Sequence, residues 1–266
     1  MVEIEERIKD MELNSMFYWY PKIKDLHIPQ PKTEMYRFTE NEFKTIQHEE
    51  GMPVSIYEHC LPIAEKIGFP LFMRTDNSSC KHNWKQTCYV QSKEDLERHI
   101  MDLLEYSGMQ GWMSYVDKGL VFREFIPLTT KFTAFSGEFP VNKERRYFIE
   151  DRLVKCHHPY WYPDAIEGHT EKKNWRSIVD ALNYENESEI KFLTHYAELV
   201  GSVLDGYWSV DFAMSKKGTW YLFDMARGNE SFHWLECPFC PIEQREQYKK
   251  RIEKLPETVN YHKGQG

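Results

Sequence analysis

The stretch "YWSVDFAMSKKGTWYLFDMA", Tyr207 to Ala226, constrains the fold more than any other part of the chain: two strand-length apolar runs flank "SKKG", a turn ending in Gly218. Each run carries an acid, Asp211 in the first and Asp224 in the second. A packed sheet normally excludes carboxylates, because a buried unpaired charge costs several kcal/mol. If the runs form a hairpin, the two acids approach each other on one face. Their repulsion then calls for an arginine or a cation between them, and Mg²⁺ characteristically takes one or two carboxylates plus substrate phosphates. "DMARGNES" adds Asn229 as an oxygen ligand and Arg227 as a phosphate partner. The competing reading is that the acids cap strand ends or pair with arginines of the fold.

The rest of the chain mixes helices and strands. The aromatic segment "FYWYPKIKDLHIPQPKTE" is punctuated by Pro21, Pro29 and Pro31 and reads as an extended arm over the body. From Ser55 to Ile67 the spacing of Ile56, Cys60, Ile63, Ala64 and Ile67 predicts a helix stopped by Gly68, and "FPLFMRT" then reads as a buried strand. "TCYV" is a short strand, and "SKEDLERHIMDLLEYSG" a helix with Ser92 as its N-cap. "GLVFREFIP" is a strand, "ERRYFIEDRLVKCHHPYW" two strands about a turn near Asp151, and "ESEIKFLTHYAELVGSVL" an amphipathic helix. Because helices and strands do not strictly alternate, the expected class is α+β with largely antiparallel sheets. The expected organisation is an arm over 1–54, lobes over 55–126 and 127–240, and a C-terminal helix and tail over 241–266.

Two cations stand out. Arg74 ends a buried strand before a polar loop carrying Lys81 and Lys85, a set able to surround an anion, although such a loop also occurs simply as a solvated connection. In "NKERRYFIED", strand alternation puts Glu144, Arg146 and Phe148 on one face and Arg145 and Tyr147 on the other. One arginine thus points into a site while its neighbour points away; a cross-strand salt bridge on a wet face fits the same pattern. Cys237 and Cys240 form "CPFC" with His233 four residues earlier, which supplies fewer than the four ligands of a structural zinc. His157 and His158 alternate faces and do not easily share one ion. The dinucleotide and P-loop glycine motifs are absent.

A net charge of -8 argues against bulk nucleic-acid binding through a basic face. No apolar run approaches the roughly 18 to 20 residues that span a bilayer, so no membrane partner is expected. The N-terminus "MVEIEERIKD" has no apolar signal region, and the six scattered cysteines read as free thiols of a reducing cytoplasm.

The order of these motifs, rather than any one of them, resembles the ATP-grasp superfamily, and more narrowly its reduced branch with an arginine in place of the first lysine, which is similar to the Cdc123 cell-division family. The resemblance covers roughly Ser55 to Trp234, with the "WYP" of the arm also similar to Cdc123-like proteins. It implies two α+β lobes with ATP and Mg²⁺ between them. Arg74 matches the residue that holds the phosphates, and Lys81 or Lys85 the loop cation above them. Glu124, Phe125 and Ile126 match the hinge that receives adenine and ribose. Arg146 matches the arginine at the γ-phosphate or acyl phosphate, with Arg123 as a basic neighbour, and Arg146 and Lys81 would be catalytic. Asp211 and Asp224 match the metal acids. The usual acid-x-Asn reads Asp224, Met225, Ala226, leaving Asn229 to take the missing ligand's place. The implied activity is ligation of a carboxylate to an amine or thiol through an acyl phosphate. The rival implication is an ATP-binding assembly factor for a protein partner.

Overall fold

The computed structural model describes residues 11–48, 51–79, 83–109, 117–135 and 139–253. Helix α1 (Met16–Ile23) follows Ser15, whose Oγ accepts from the Phe17 amide at 3.2 Å. The prolines predicted an extended segment here, and the helix corrects that expectation. Pro21 sits in its last turns, at a cost of about 3 kcal/mol. Met16, Trp19 and Ile23 form a wholly buried stripe, and each such side chain returns roughly 1.5–3 kcal/mol. Extended backbone begins only after this helix, at Pro29 and Pro31, and leads into β1 (Thr33–Arg37).

A capping box of Thr39 and Glu42 starts α2 (Glu40–Gln47). Helix α3 (Val54–Ile67) buries Ile56, Cys60 and Ala64, the predicted stripe, and ends at Gly68, whose φ of 91° suits only glycine comfortably. Then come β2 (Leu71–Thr75), β3 (Tyr89–Val90), α4 (Leu96–Met109) and β4 (Gly119–Glu124). The four strands make one sheet in the order β1-β4-β2-β3. Leu71, Met73, Leu120 and Phe122 form one core with Ile56, Cys60, Ala64, Ile100 and Leu103, so one face of this sheet is covered by α3 and α4.

A small ribbon of β5 (Phe132–Ala134) and β6 (Phe139–Val141) precedes the second large sheet. That sheet holds β7 (Glu144–Glu150) and β8 (Leu153–Pro159). The two are joined across Asp151 and Arg152, whose φ values of 50° and 71° are those of a type I′ hairpin turn. Helices α5 (Pro163–Ile166), α6 (Trp175–Asn183) and α7 (Glu187–Gly201) follow, then β9 (Trp208–Met214), β10 (Trp220–Arg227) and α8 (Ile242–Glu253). The strand order is β10-β9-β7-β8. Its inner face buries Tyr147, Trp208, Val210, Phe212 and Leu222 against Leu193, Ala197 and Val200 of α7 and against the α1 stripe. All strand pairs of both large sheets are antiparallel, as an α+β class requires. Among the described residues no helix is long and apolar enough to cross a membrane.

Candidate nucleotide-binding cleft

The face of the first sheet turned away from α3 and α4 is set by register. Arg123 on β4 lies opposite Phe72 on β2, and Arg74 follows Phe72 at the next position on that face. On the second sheet Asp211 pairs with Arg146 on one side and with Asp224 on the other. Strict alternation from the buried Leu222 would turn Asp224 toward the core. A bulge between Leu222 and Asp224 breaks the alternation and brings Asp224 round to face Asp211. Met225 then resumes the buried side.

The acids meet arginines rather than each other. Arg146 grips Asp211 with both forks, Nε to Oδ1 and Nη2 to Oδ2, each at 2.7 Å. Arg74 Nη1 donates to Asp224 Oδ1 at 2.7 Å, from the first sheet to the second. Burial opposes the charge on Arg146, but the adjacent Asp211 carboxylate outweighs it and holds the guanidinium proton more tightly than usual. Its neighbour Arg145 faces the other way, fully buried, with Nε 2.7 Å from Glu189 of α7.

Arg123 is the most exceptional group. It is 3% exposed; its Nε donates to Thr33 Oγ1 at 3.2 Å, its Nη1 donates to the Phe223 carbonyl, and its Nη2 has no partner. Burial lowers it to about 10, with Asp224 opposing the shift and Arg74 adding to it. A buried cation on a cleft wall attracts an anion.

Between the sheets lies a cleft, open on one side, whose walls include Arg74, Arg123, Glu124, Asp211 and Asp224. Phe125 and Ile126 line it as well, so the "EFI" segment does reach the cleft. A ring cluster adjoins the arginines: Phe72 lies 5.7 Å from Trp84, Trp84 stacks on Tyr89 at 5.8 Å, and Tyr89 meets Phe125 at 4.9 Å. Sequence reasoning passed over Trp84. A tryptophan inside the polar loop "KHNWKQT" was the signal available.

Other expected residues lie elsewhere. Lys81 falls outside the described residues. Lys85 is exposed and does not line the cleft. Arg146 reaches the cleft through its partner Asp211 and through Tyr160, over whose ring its guanidinium sits at 4.7 Å. Ala226 shares the face of Asp224, opposite Ser209, while Asn229 is exposed in the short 3₁₀ turn Gly228–Glu230 and is not part of the cleft wall. The donor set still fits Mg²⁺ in kind, since two carboxylates stand opposite each other on the cleft wall. Among the described residues no third acid, histidine or cysteine joins them as a ligand cluster.

Two antiparallel α+β halves thus enclose a cleft lined by arginines and acids. The arrangement has the fold of Cdc123. It superposes on a C-terminally truncated Cdc123 from Schizosaccharomyces pombe with a TM-score of 0.57 at 12% identity, covering 89% of this chain and 94% of that one. A second Cdc123 structure from the same organism gives a TM-score of 0.53 at 12% identity over 83% and 85% of the two chains. Carboxyaminoimidazole ribonucleotide synthase from Aspergillus clavatus, complexed with ATP, gives 0.47 at 12% identity over 80% and 44%. No family model and no curated protein matches the sequence. At these identities the likeness is one of fold.

Proposed function

We propose that the chain binds ATP in the cleft between its two sheets, and that the bound nucleotide supports engagement of a protein partner rather than ligation. The observation that carries the nucleotide reading is the pair of guanidinium groups, Arg74 and Arg123, on the wall of a cleft that also holds a cluster of rings. Guanidinium groups bind phosphate oxygens through fixed forks, and ring faces accept a purine. In this reading Arg74 and Arg123 hold phosphates, and the wall at Glu124, Phe125 and Ile126 receives the base and ribose. Asp211 and Asp224 supply oxygens to Mg²⁺, which neutralises phosphate charge when bound.

The preference for a binder rests on the metal face. Ala226 occupies the position two after Asp224 on the cleft face, Asn229 lies outside the cleft wall, and both acids already engage arginines. Each feature weakens the Mg²⁺ hold that phosphoryl transfer requires. The second reading, an ADP-forming carboxylate–amine or carboxylate–thiol ligase, is favoured by Arg146 and Arg123, because cations beside a triphosphate are what stabilise a transferring phosphoryl group.

Calorimetry with ATP and Mg²⁺, followed by incubation with pools of carboxylates, amines and thiols, separates the two. Saturable ATP binding without ADP release supports the binder. ADP release that depends on a carboxylate establishes the ligase. Absence of any nucleotide binding sinks both.

A further inference from the structure

A second chemical grouping lies on the same face of the second sheet, toward the β8 edge. The bulge between Phe148 and Ile149 places Cys156 opposite Phe148, on the face that carries Arg146 and His158. The segment after β10 returns over this face, and His233 stacks on Phe148 with ring centroids 3.5 Å apart. Cys156 Sγ lies 3.9 Å from His233 Nδ1, and the ligand atoms of Cys156, His233 and Cys237 all fall within 4.8 Å of one another. From metal–ligand bonds of about 2.3 Å to sulfur and 2.0 Å to nitrogen, neighbouring ligand atoms on a tetrahedral ion stand about 3.5–3.8 Å apart. The grouping needs to close only slightly to grip one.

We infer that Cys156, His233 and Cys237 form a structural zinc site, completed by Cys240 through the C-x-x-C spacing. The surroundings are those of a metal-bound histidine. His233 is wholly buried, and its Nε2 lies 2.7 Å from the Tyr207 hydroxyl, which leaves Nδ1 directed at the thiols. A hydrogen bond on the far nitrogen is the usual means of fixing which nitrogen meets the metal. Tyr207 can lie there because Gly228 leaves room: a Cβ at Gly228 would fall 2.3 Å from Tyr207 Cδ1. Gln244 of α8 clamps the His233 backbone on both sides, accepting from its amide at 3.2 Å and donating to its carbonyl at 2.7 Å. The Cys240 amide closes a turn onto the Cys237 carbonyl at 3.0 Å, and Cys240 is 5% exposed. His158 is not the fourth ligand, because its Nδ1 lies 2.8 Å from the Pro159 carbonyl and its Nε2 accepts from the Trp234 amide.

Thiolates with an imidazole select zinc among the common divalent ions. The three ligands come from β8 and from the segment beyond β10, so the ion pins that segment onto the sheet. The same segment carries the Phe232 carbonyl, which accepts from Arg146 Nη1 at 3.4 Å. The site is independent of whatever the cleft binds.

The test is metal analysis of the full chain purified under reducing conditions without chelator, together with Co²⁺ titration of the reduced apoprotein. Stoichiometric zinc, and a cobalt spectrum with thiolate charge-transfer and strong tetrahedral bands, are expected. Cys156→Ser, Cys237→Ser and His233→Ala should lose both, while Cys60→Ala, in the other sheet's core, should keep both. Tyr207→Phe should retain the cobalt spectrum at saturation but bind roughly 10–100-fold more weakly. A reduced wild-type chain that gives no tetrahedral cobalt spectrum overturns the inference, whether or not the variants fold. So does a spectrum unchanged in Cys156→Ser and Cys237→Ser.

Discussion

Arg74 and Asp224 are 150 residues apart in sequence and joined by a 2.7 Å hydrogen bond between the two sheets. Arg74 is buried, whereas the Asp224 side chain is 39% exposed toward the cleft. Asp224→Ala therefore leaves a buried cation without its carboxylate, and urea unfolding should report a loss of about 2 kcal/mol. Asp224→Asn keeps the shape and one acceptor; it should unfold nearly as wild type while its affinity for Mg²⁺-ATP falls by calorimetry. Unchanged affinity in that variant would make the acid a structural partner of Arg74 alone.

Adjacent arginines should fail in different ways. Arg145 is fully buried against Glu189 and Glu185, at 2.7 and 3.3 Å. Arg145→Ala should cost about 3–5 kcal/mol, the penalty for breaking a buried pair, with nucleotide affinity preserved in whatever fraction stays folded. Arg146→Lys keeps the charge but loses the two-pronged grip on Asp211. Its signature should be weakened ATP binding with a smaller stability loss than Arg145→Ala, read by thermal melts run with and without nucleotide.

Trp84 supplies a test of the base end of the cleft. Trp84→Ala removes the ring between Phe72 and Tyr89. Stacking on a base contributes about 1–3 kcal/mol, so ATP should bind about 10-fold or more weaker. Inorganic triphosphate should be held as before. Equal losses for both ligands would place Trp84 in the fold rather than in base recognition.

Asp117 sets a pH dependence. Burial first, and the charge of Asp76 second, push its carboxyl up to about 6. Between the ordinary carboxylate value near 4 and about 6, the native state binds more protons than the unfolded chain, so this group's contribution to stability falls as pH rises through that window. Asp117→Asn should flatten this slope and stabilise the protein at pH 7, by up to about 3 kcal/mol. Chemical denaturation of both forms between pH 4 and 8 measures it. A variant that retains the wild-type slope assigns the slope to other groups.

Much of the fold was legible because its elements are amphipathic. Ile56, Cys60 and Ala64 announced α3, and the "SKKG" hairpin announced β9 and β10. The opposite facing of Arg145 and Arg146 followed from period two alone. Helix α1 was hidden because Pro21 and a run of rings read as extended, while the partners that bury Trp19 lie far along the chain. At the cleft, Asp211 and Asp224 were visible as acids in apolar runs. The bulge that lets Asp224 face Asp211 was not, since one inserted residue leaves no compositional mark. Nor was the idle donor of Arg123, which exists only because β1 and β10 each satisfy one of its other nitrogens. The cysteines looked incomplete for the same reason: Cys156 lies 77 positions before His233 and becomes its neighbour only through the sheet.

The residues at the start of α1 hold both halves of the molecule at once. The Met16 amide donates to the Asp76 carbonyl at 2.9 Å, and Ser15 Oγ to the Asp76 carboxylate at 2.5 Å, on the side of the first sheet. Asn14 Oδ1 accepts from the Arg227 amide at 2.5 Å, at the end of the second sheet. Three consecutive residues thus act as a clasp between the two sheets. The first turn of α1 is in that sense a rivet, set in the core of one sheet and fastened to the end of the other.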